Sequence, residues 1–255
     1  MDDIQLVKAK VGLSAVGKRM VDICGVASAL REKYLDFAHN NKKNPLDELI
    51  FIICSVKTTG DSYEHTYARF RQRFRSFSDI ADATESELAL ALSAGGLQNI
   101  KAHQISEIMR TLQKEFGKPT LSPLRRWNDE KSEKFLVSLP GIGKKTARCV
   151  MLYSLGRQVF PVDTHCWRIC KRLGLVRARV PSRACMPRDM DRLQSKIPTQ
   201  LRFSLHVNMV SLGRNICTYY DPRCSICPIE SLCPKIGVSA MRKRKQSNGH
   251  INKEE

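Results

Sequence analysis

The chain has 255 residues and a mass of 28.9 kDa, and 43 Lys and Arg against 25 Asp and Glu leave a formal charge of +18. An apolar content of 42% is ordinary for a globular protein and excludes a disordered basic tail. The longest apolar run, Leu49 to Cys54, falls far short of the roughly 20 residues of a membrane span, and the opening MDDIQLVKAK lacks the layout of a signal peptide.

These features predict a soluble intracellular protein of one large or two small domains, with no membrane partner. Residues 236–255 hold five basic and two acidic side chains, so +3 of the charge lies in the tail and +15 in the body. An excess of that size favours a nucleic acid over a merely solvated basic surface, because each neutralised phosphate releases condensed counterions.

Helical periodicity dominates, and no strand alternation stands out. Asn44-Pro45 reads as an N-cap and first-turn pair, followed by Leu46, Leu49, Ile50 and Ile53 on one face. A second helix is predicted over 61–74, with Tyr63, Tyr67 and Phe70 inward and Arg69, Arg71, Arg73 and Arg75 outward. Thr84 and Glu87 form a capping box for a short helix that stops at Gly95-Gly96. The next helix spans 99–116, with Ile105, Ile108, Met109 and Leu112 inward and Gly117 as its C-cap.

A short helix over 132–138 leads into Leu139-Pro140-Gly141-Ile142-Gly143, and a helix restarts at Lys144. Two glycines one residue apart permit a tight turn and let backbone N–H groups approach a ligand closely. Together with the positive end of the following helix they form an anion site suited to phosphate. Lys144 and Lys145 open that helix, where the dipole and neighbouring cations favour loss of a proton; a neutral amine is what attack on a sugar carbon requires.

Asp163, in Pro161-Val162-Asp163-Thr164-His165, precedes an apolar-periodic helix with Cys166, Ile169, Cys170 and Leu173 inward. It reads both as an N-cap and as a carboxylate that activates a nucleophile or steadies an oxocarbenium ion. Six of the ten cysteines are scattered, mostly in apolar helical contexts. Cys217, Cys224, Cys227 and Cys233 follow a C-x6-C-x2-C-x5-C spacing. Four thiolates so close suit tetrahedral zinc or a [4Fe-4S] cluster, and a disulfide pair is the weaker reading without an export signal.

LPGIGKKTA, PVDTH and C-x6-C-x2-C-x5-C, in that order, resemble the endonuclease III type of helix-hairpin-helix DNA glycosylases from about Asn44 to Cys233. The resemblance implies an all-α, two-lobed fold: a six-helix barrel holding the hairpin, and a second helical lobe bearing a [4Fe-4S] cluster. The implied division is residues 1–37 and 158–235 for the cluster lobe, 38–157 for the barrel, and a basic disordered tail over 236–255. It further implies a monomeric base-excision repair enzyme, a glycosylase and AP lyase acting on oxidised pyrimidines or abasic sites in double-stranded DNA, with the damaged nucleotide flipped from the stack.

The family's catalytic lysine lies two residues after the second glycine and eighteen before its catalytic aspartate, which selects Lys145 over Lys144 and pairs it with Asp163. The four cysteines become the cluster ligands. Implied DNA contacts are Gly141, Gly143, Lys144, His165, Arg223 and Leu97, the last matching an apolar wedge before an NxKA pattern. Lys57 stands where the family commonly has a glutamine, and Asp221 lies in a loop that is commonly basic.

Two other functions stay open at this level: a monofunctional glycosylase for mispaired or deaminated bases, and a catalytically silent, structure-specific DNA binder carrying a cluster or zinc. The compartment is cytoplasm and nucleoid in a prokaryote, or nucleus in a eukaryote. Because only +3 of the charge lies in the tail, deleting residues 241–255 should weaken DNA binding modestly and leave strand cleavage intact, as a titration and a nicking assay would measure.

Overall fold

A computed structural model describes residues 21–37, 40–58, 62–176 and 184–238. The RKRK tail and the first twenty residues therefore lie outside the described residues. In chain order the helices among the described residues are α1 (Ile23–Tyr34), α2 (Pro45–Ser55), α3 (Ser62–Arg73), α4 (Phe77–Asp82), α5 (Glu85–Ala91), α6 (Gln98–Phe116), α7 (Asp129–Ser138), α8 (Lys144–Ser154), α9 (Thr164–Arg172), α10 (Pro187–Lys196) and α11 (Arg202–Asn215), with three short 3-10 turns between them and a fourth, Cys224–Ile226, after α11. No strand occurs among the described residues, and none of the helices is long and apolar enough to cross a membrane. The chain divides into two compact units, Asn40–Arg157 and the paired flanks Met1–His39 and Gln158–Glu255.

In the central unit α2 is the core element, packed against α3, α6 and α8. Its start follows from Asn44, whose carboxamide oxygen accepts from the Leu46 and Asp47 N–H groups, with Pro45 at the first position where an N–H has no helical partner anyway. Leu46, Leu49, Ile50 and Ile53 are buried, but so are Phe51, Ile52 and Cys54. The helix is therefore enclosed on nearly every side rather than amphipathic, as its unbroken apolar run requires.

The Thr84–Glu87 box caps α5 reciprocally. A second box, Ser76 with Asp79, starts the separate six-residue α4. Gly117 closes α6 in the left-handed conformation at φ 70°. The helix predicted from Ser132 begins earlier, because the Asn128 side chain accepts from Lys131 N–H and caps α7 at Asp129.

Arg71 departs from the outward face expected of α3. It is half-buried, pairs with Asp47 at 3.3 Å and donates to the Phe74 and Arg75 carbonyls, so it fastens the C-terminal end of α3 instead of facing solvent.

In the flanking unit α11 runs through the core against α1 and α9. Its apolar positions are interrupted by His206, Asn208 and Ser211, which hides it from a periodicity search. The interruptions are buried and mostly bonded: Asn208 Nδ2 and Ser204 Oγ donate to the Asp36 carboxylate at 2.7 and 2.6 Å, and His206 Nδ1 lies 3.0 Å from the Pro161 carbonyl. Leu30, Phe160, Trp167, Ile169 and Leu193 form the core with Met209 of α11.

Glu48 of α2 is wholly buried in the central unit, where Asn41 Nδ2 and the Lys42 N–H donate to its carboxylate. Burial pushes its pKa from 4.5 up to about 7, outweighing those bonds and the opposing pull of Lys42 and Lys145. Its folded pKa exceeds the unfolded one, so its contribution to stability is intact below pH 4.5 and is lost as pH rises through about 7. Glu48→Gln should remove most of this pH dependence, on the order of 3 kcal/mol between the two limits. Thermal melting at pH 5 and pH 8 would measure the difference.

Candidate active site

The hairpin connects α7 to α8. The Ile142 N–H returns to the Leu139 carbonyl at 3.1 Å, and the Ile142 side chain is buried, which leaves Gly141 and Gly143 facing outward. Gly141 has φ 69°, and a Cβ there would stand 2.6 Å from Gln104 Nε2. Gln104, from α6, also donates to the Pro140 carbonyl at 3.1 Å and so backs the turn. Gly143 is the N-cap of α8 and makes no side-chain cap bond. A Cβ on Gly143 would meet nothing within 4 Å, so the approach to the first N–H groups of α8 is open in front of it. An uncapped N-terminus of this kind presents partial positive charge to an incoming anion.

Lys144 and Lys145 both sit half-buried on the first turn of α8. Lys144 pairs at 3.2 Å with Glu133 of α7, whose other oxygen holds the buried Arg148 Nε at 2.6 Å. Glu133 thus ties the two helices of the hairpin together. The buried Glu48 carboxyl lies within electrostatic reach of Lys145.

Two exposed tips belong to the same unit. Leu97, the residue before α6, is 40% exposed, with φ 54° and no side-chain cap. Lys57 is exposed with φ 50°. Neither φ is usual for a residue with a Cβ.

In the flanking unit Asp163 caps α9, its carboxylate accepting from the Cys166 N–H at 2.7 Å. His165 packs on α11: a Cβ on Gly213 would stand 2.6 Å from the His165 Cβ, and Arg168 lies 3.0 Å from Nδ1. Burial first, and the charges of Arg168 and Arg214, lower its pKa against the opposing pull of Asp163. His165 therefore stays neutral at pH 7 and meets any ligand as a hydrogen-bonding ring rather than as a cation.

The cysteine loop is fastened to α9 by two buried arginines that motif reading missed. Arg168 Nε donates to the Cys217 carbonyl at 2.7 Å. Arg172 donates to Cys217 Sγ at 2.9 Å and to the Thr218 and Tyr219 carbonyls at 2.8 and 3.0 Å. Their burial beside α9's apolar positions was invisible in a helix that looks half-charged. Arg223 is exposed and donates to the Asn215 carbonyl, while Asp221 is exposed nearby.

Burial pushes the Cys227 thiol up to about 11, and the charges of Cys217, Cys233 and Cys224 add to it. The other three thiols therefore lie within electrostatic range of Cys227. Among the described residues, no group of three or more His, Cys, Asp or Glu side chains is spaced to hold a metal ion. The Tyr34 hydroxyl, from α1, is buried without a hydrogen-bond partner among the described residues and within charge range of Cys227 and Cys217.

Comparison with known proteins places this architecture. Residues 50–194 match the HhH-GPD superfamily base excision DNA repair protein family. The chain is 30% identical over 204 residues to an endonuclease III of Thermotoga maritima, spanning 80% of this chain and 89% of that protein. It is 33% identical over 177 residues to a putative DNA glycosylase of Arabidopsis thaliana, covering 69% of this chain but only 59% of the plant protein's length. An endonuclease III solved in a non-covalent DNA complex shares the fold, with a TM-score of 0.71 at 24% identity over 88% of this chain and 97% of that one. The chain belongs to the HhH-GPD superfamily of base excision DNA repair proteins, and within it to the endonuclease III-like helix-hairpin-helix group.

The cap separates the structural from the chemical contribution of Asp163. Asparagine caps a helix about as well, so Asp163→Asn should shift stability by less than about 0.5 kcal/mol, whereas Asp163→Ala should cost about 1 kcal/mol. Denaturant unfolding of the two variants would compare them.

Proposed function

We propose that the chain is a bifunctional DNA glycosylase and AP lyase acting on damaged, oxidised pyrimidines and abasic sites in duplex DNA. The observation that carries the reading is the uncapped N-terminus of α8. It presents open N–H groups behind Gly143 and sets Lys145 two residues further on, in a chain of this superfamily. The hairpin N–H groups bind a backbone phosphate and fix the register of the duplex. Lys144, held by Glu133, adds charge beside them, and Arg223 and His165 are further contacts to DNA.

In the reaction, the neutral amine of Lys145 forms a bond to C1′ as the glycosidic bond breaks and the base leaves with its electron pair, taking up a proton. Ring opening gives an iminium between Lys145 and the sugar. Loss of a 2′ proton then expels the 3′ phosphate by β-elimination, and water releases the sugar and restores the amine. The Asp163 carboxylate, kept oriented by its cap bond, stabilises positive charge that develops on the sugar. A buried carboxyl at Glu48 offers a local acceptor for the proton that Lys145 must shed.

Cys217, Cys224, Cys227 and Cys233 would hold a [4Fe-4S] cluster. A zinc ion needs its thiolates converged on one point, whereas a cluster takes one at each of four irons. The resemblance of the C-x6-C-x2-C-x5-C spacing to that of the endonuclease III type supports the cluster. Bound there, it would cross-link the segments of the loop to one another through its four cysteines. The orphaned Tyr34 hydroxyl and the Arg172 guanidinium supply polar partners beside the sulfurs.

Borohydride should trap a covalent adduct between the protein and an abasic or oxidised-pyrimidine duplex, and Lys145→Gln should abolish it. Base release without an adduct would instead identify a monofunctional glycosylase, and salt-sensitive binding without base release a silent DNA binder. Iron and sulfide analysis with a visible spectrum tests the cluster; Cys224→Ala should lose both iron and colour, and zinc in their place would overturn that assignment.

A further inference from the structure

Lys101 is the most completely buried cation among the described residues, 2% exposed, and no carboxylate partners it there. Its position shows in the sequence only as a cation in register with Ile105, Ile108 and Leu112 on the buried face of α6. Its ammonium donates to three oxygens, the Cys54 carbonyl at 2.9 Å, Thr58 Oγ1 at 3.0 Å and the Gly95 carbonyl at 2.9 Å. Three donors meet three acceptors, which satisfies a buried ammonium without an ion pair. Burial lowers its pKa, as it does for any cation taken from water.

The acceptors are the feet of two loops. Cys54 and Thr58 flank the turn that carries Lys57. Gly95 precedes Leu97, whose carbonyl accepts from the Lys101 N–H at 3.0 Å. Thr58 Oγ1 sits between the feet, 2.6 Å from the Gly95 carbonyl and 2.9 Å from the Cys54 carbonyl, with one proton to donate to either. The Gly95 end is also pinned on α3, where a Cβ would stand 2.8 Å from Thr66 Cγ2.

Above this anchored base, Lys57 and Leu97 both hold left-handed backbone, at φ 50° and 54°, and both are exposed. Such conformations are strained for non-glycine residues and persist only where their surroundings over-determine them. Here the surroundings converge on one ammonium.

We propose that Lys101 is a positioning residue that braces Lys57 and Leu97 as a rigid pair of probes for the gap left in a duplex by an extruded nucleotide. The inference rests on the DNA-repair reading above and adds the element that aims its probes. An apolar side chain driven between bases must be held against the stack it displaces. Removing the brace lets each tip relax toward ordinary backbone, and misplacement of about 1 Å is enough to lose much of a positioned group's effect.

The test uses binding alone, so that it stands apart from the lyase chemistry. The full chain is titrated with a duplex carrying a reduced, uncleavable abasic site opposite 2-aminopurine, and with the same duplex undamaged. Wild type should prefer the damaged duplex and change the 2-aminopurine emission as the opposite base is displaced. Lys101→Met, which keeps the aliphatic stem and removes the donors, should reduce that preference about tenfold. Leu97→Ala should reduce it comparably, and the double variant no further than either, because Lys101 acts through the tip.

Thr58→Val, which removes one acceptor and the direct tie between the loops, should show a smaller loss of the same kind and serves if Lys101→Met does not fold. Additive losses from Lys101→Met and Leu97→Ala, or a preference unchanged in both brace variants, would overturn the proposal. So would a wild type with no preference for the damaged duplex. A wild type that discriminates and displaces the base but gives no borohydride adduct would refute the lyase and leave the brace supported.

Discussion

A helical chain with this many cations buries several of them, and each buried cation has to be answered. Lys101, Arg148, Arg168 and Arg172 are all at most 9% exposed. Arg148 pairs with the Glu133 carboxylate, whereas Lys101, Arg168 and Arg172 donate to backbone carbonyls at loop feet and helix ends. These are groups that helices leave without internal partners. One supply of positive charge thus does two jobs: it satisfies orphan carbonyls inside each unit, and it provides the external field that a polyanion meets.

This division alters what the +18 charge means. Arg71, Arg168 and Arg172 serve as struts and are withdrawn from any account of phosphate binding. What faces outward is more selective: open N–H groups at the start of α8, a lysine held by Glu133, and two strained tips. The hairpin is rigid for the same reason. Gln104 occupies the space beside Gly141, and Ile142 is sunk into the core, so the two glycines are turned outward together.

The elements most legible in the sequence were those fixed by local chemistry. Asn44-Pro45, the Thr84–Glu87 box, Gly117, the Pro-Gly-x-Gly turn and the Asp163 cap each act within four residues, and each stands in the structure where its side chain predicts. The elements that escaped lack such signals. α11 is interrupted by His206 and Asn208, whose burial makes sense only with Asp36 and Pro161 beside them, far away in the chain. α3 looked like an arginine-studded outer face, yet Arg71 turns inward because Asp47 of α2 is there to receive it.

The candidate site divides along the same line. The sequence by itself determined the order and spacing of the hairpin, Lys145, Asp163 and the four cysteines, because spacing is covalent and the caps around them are local. Only the tertiary structure decided that Glu133 holds Lys144, that Glu48 is a buried acid within reach of Lys145, that His165 stays neutral, and that Lys101 ties two loop feet together. Each of those depends on how far a group is removed from water and on which distant group is brought to it. Burial and long-range pairing arise only when the helices pack, so no local pattern carries them.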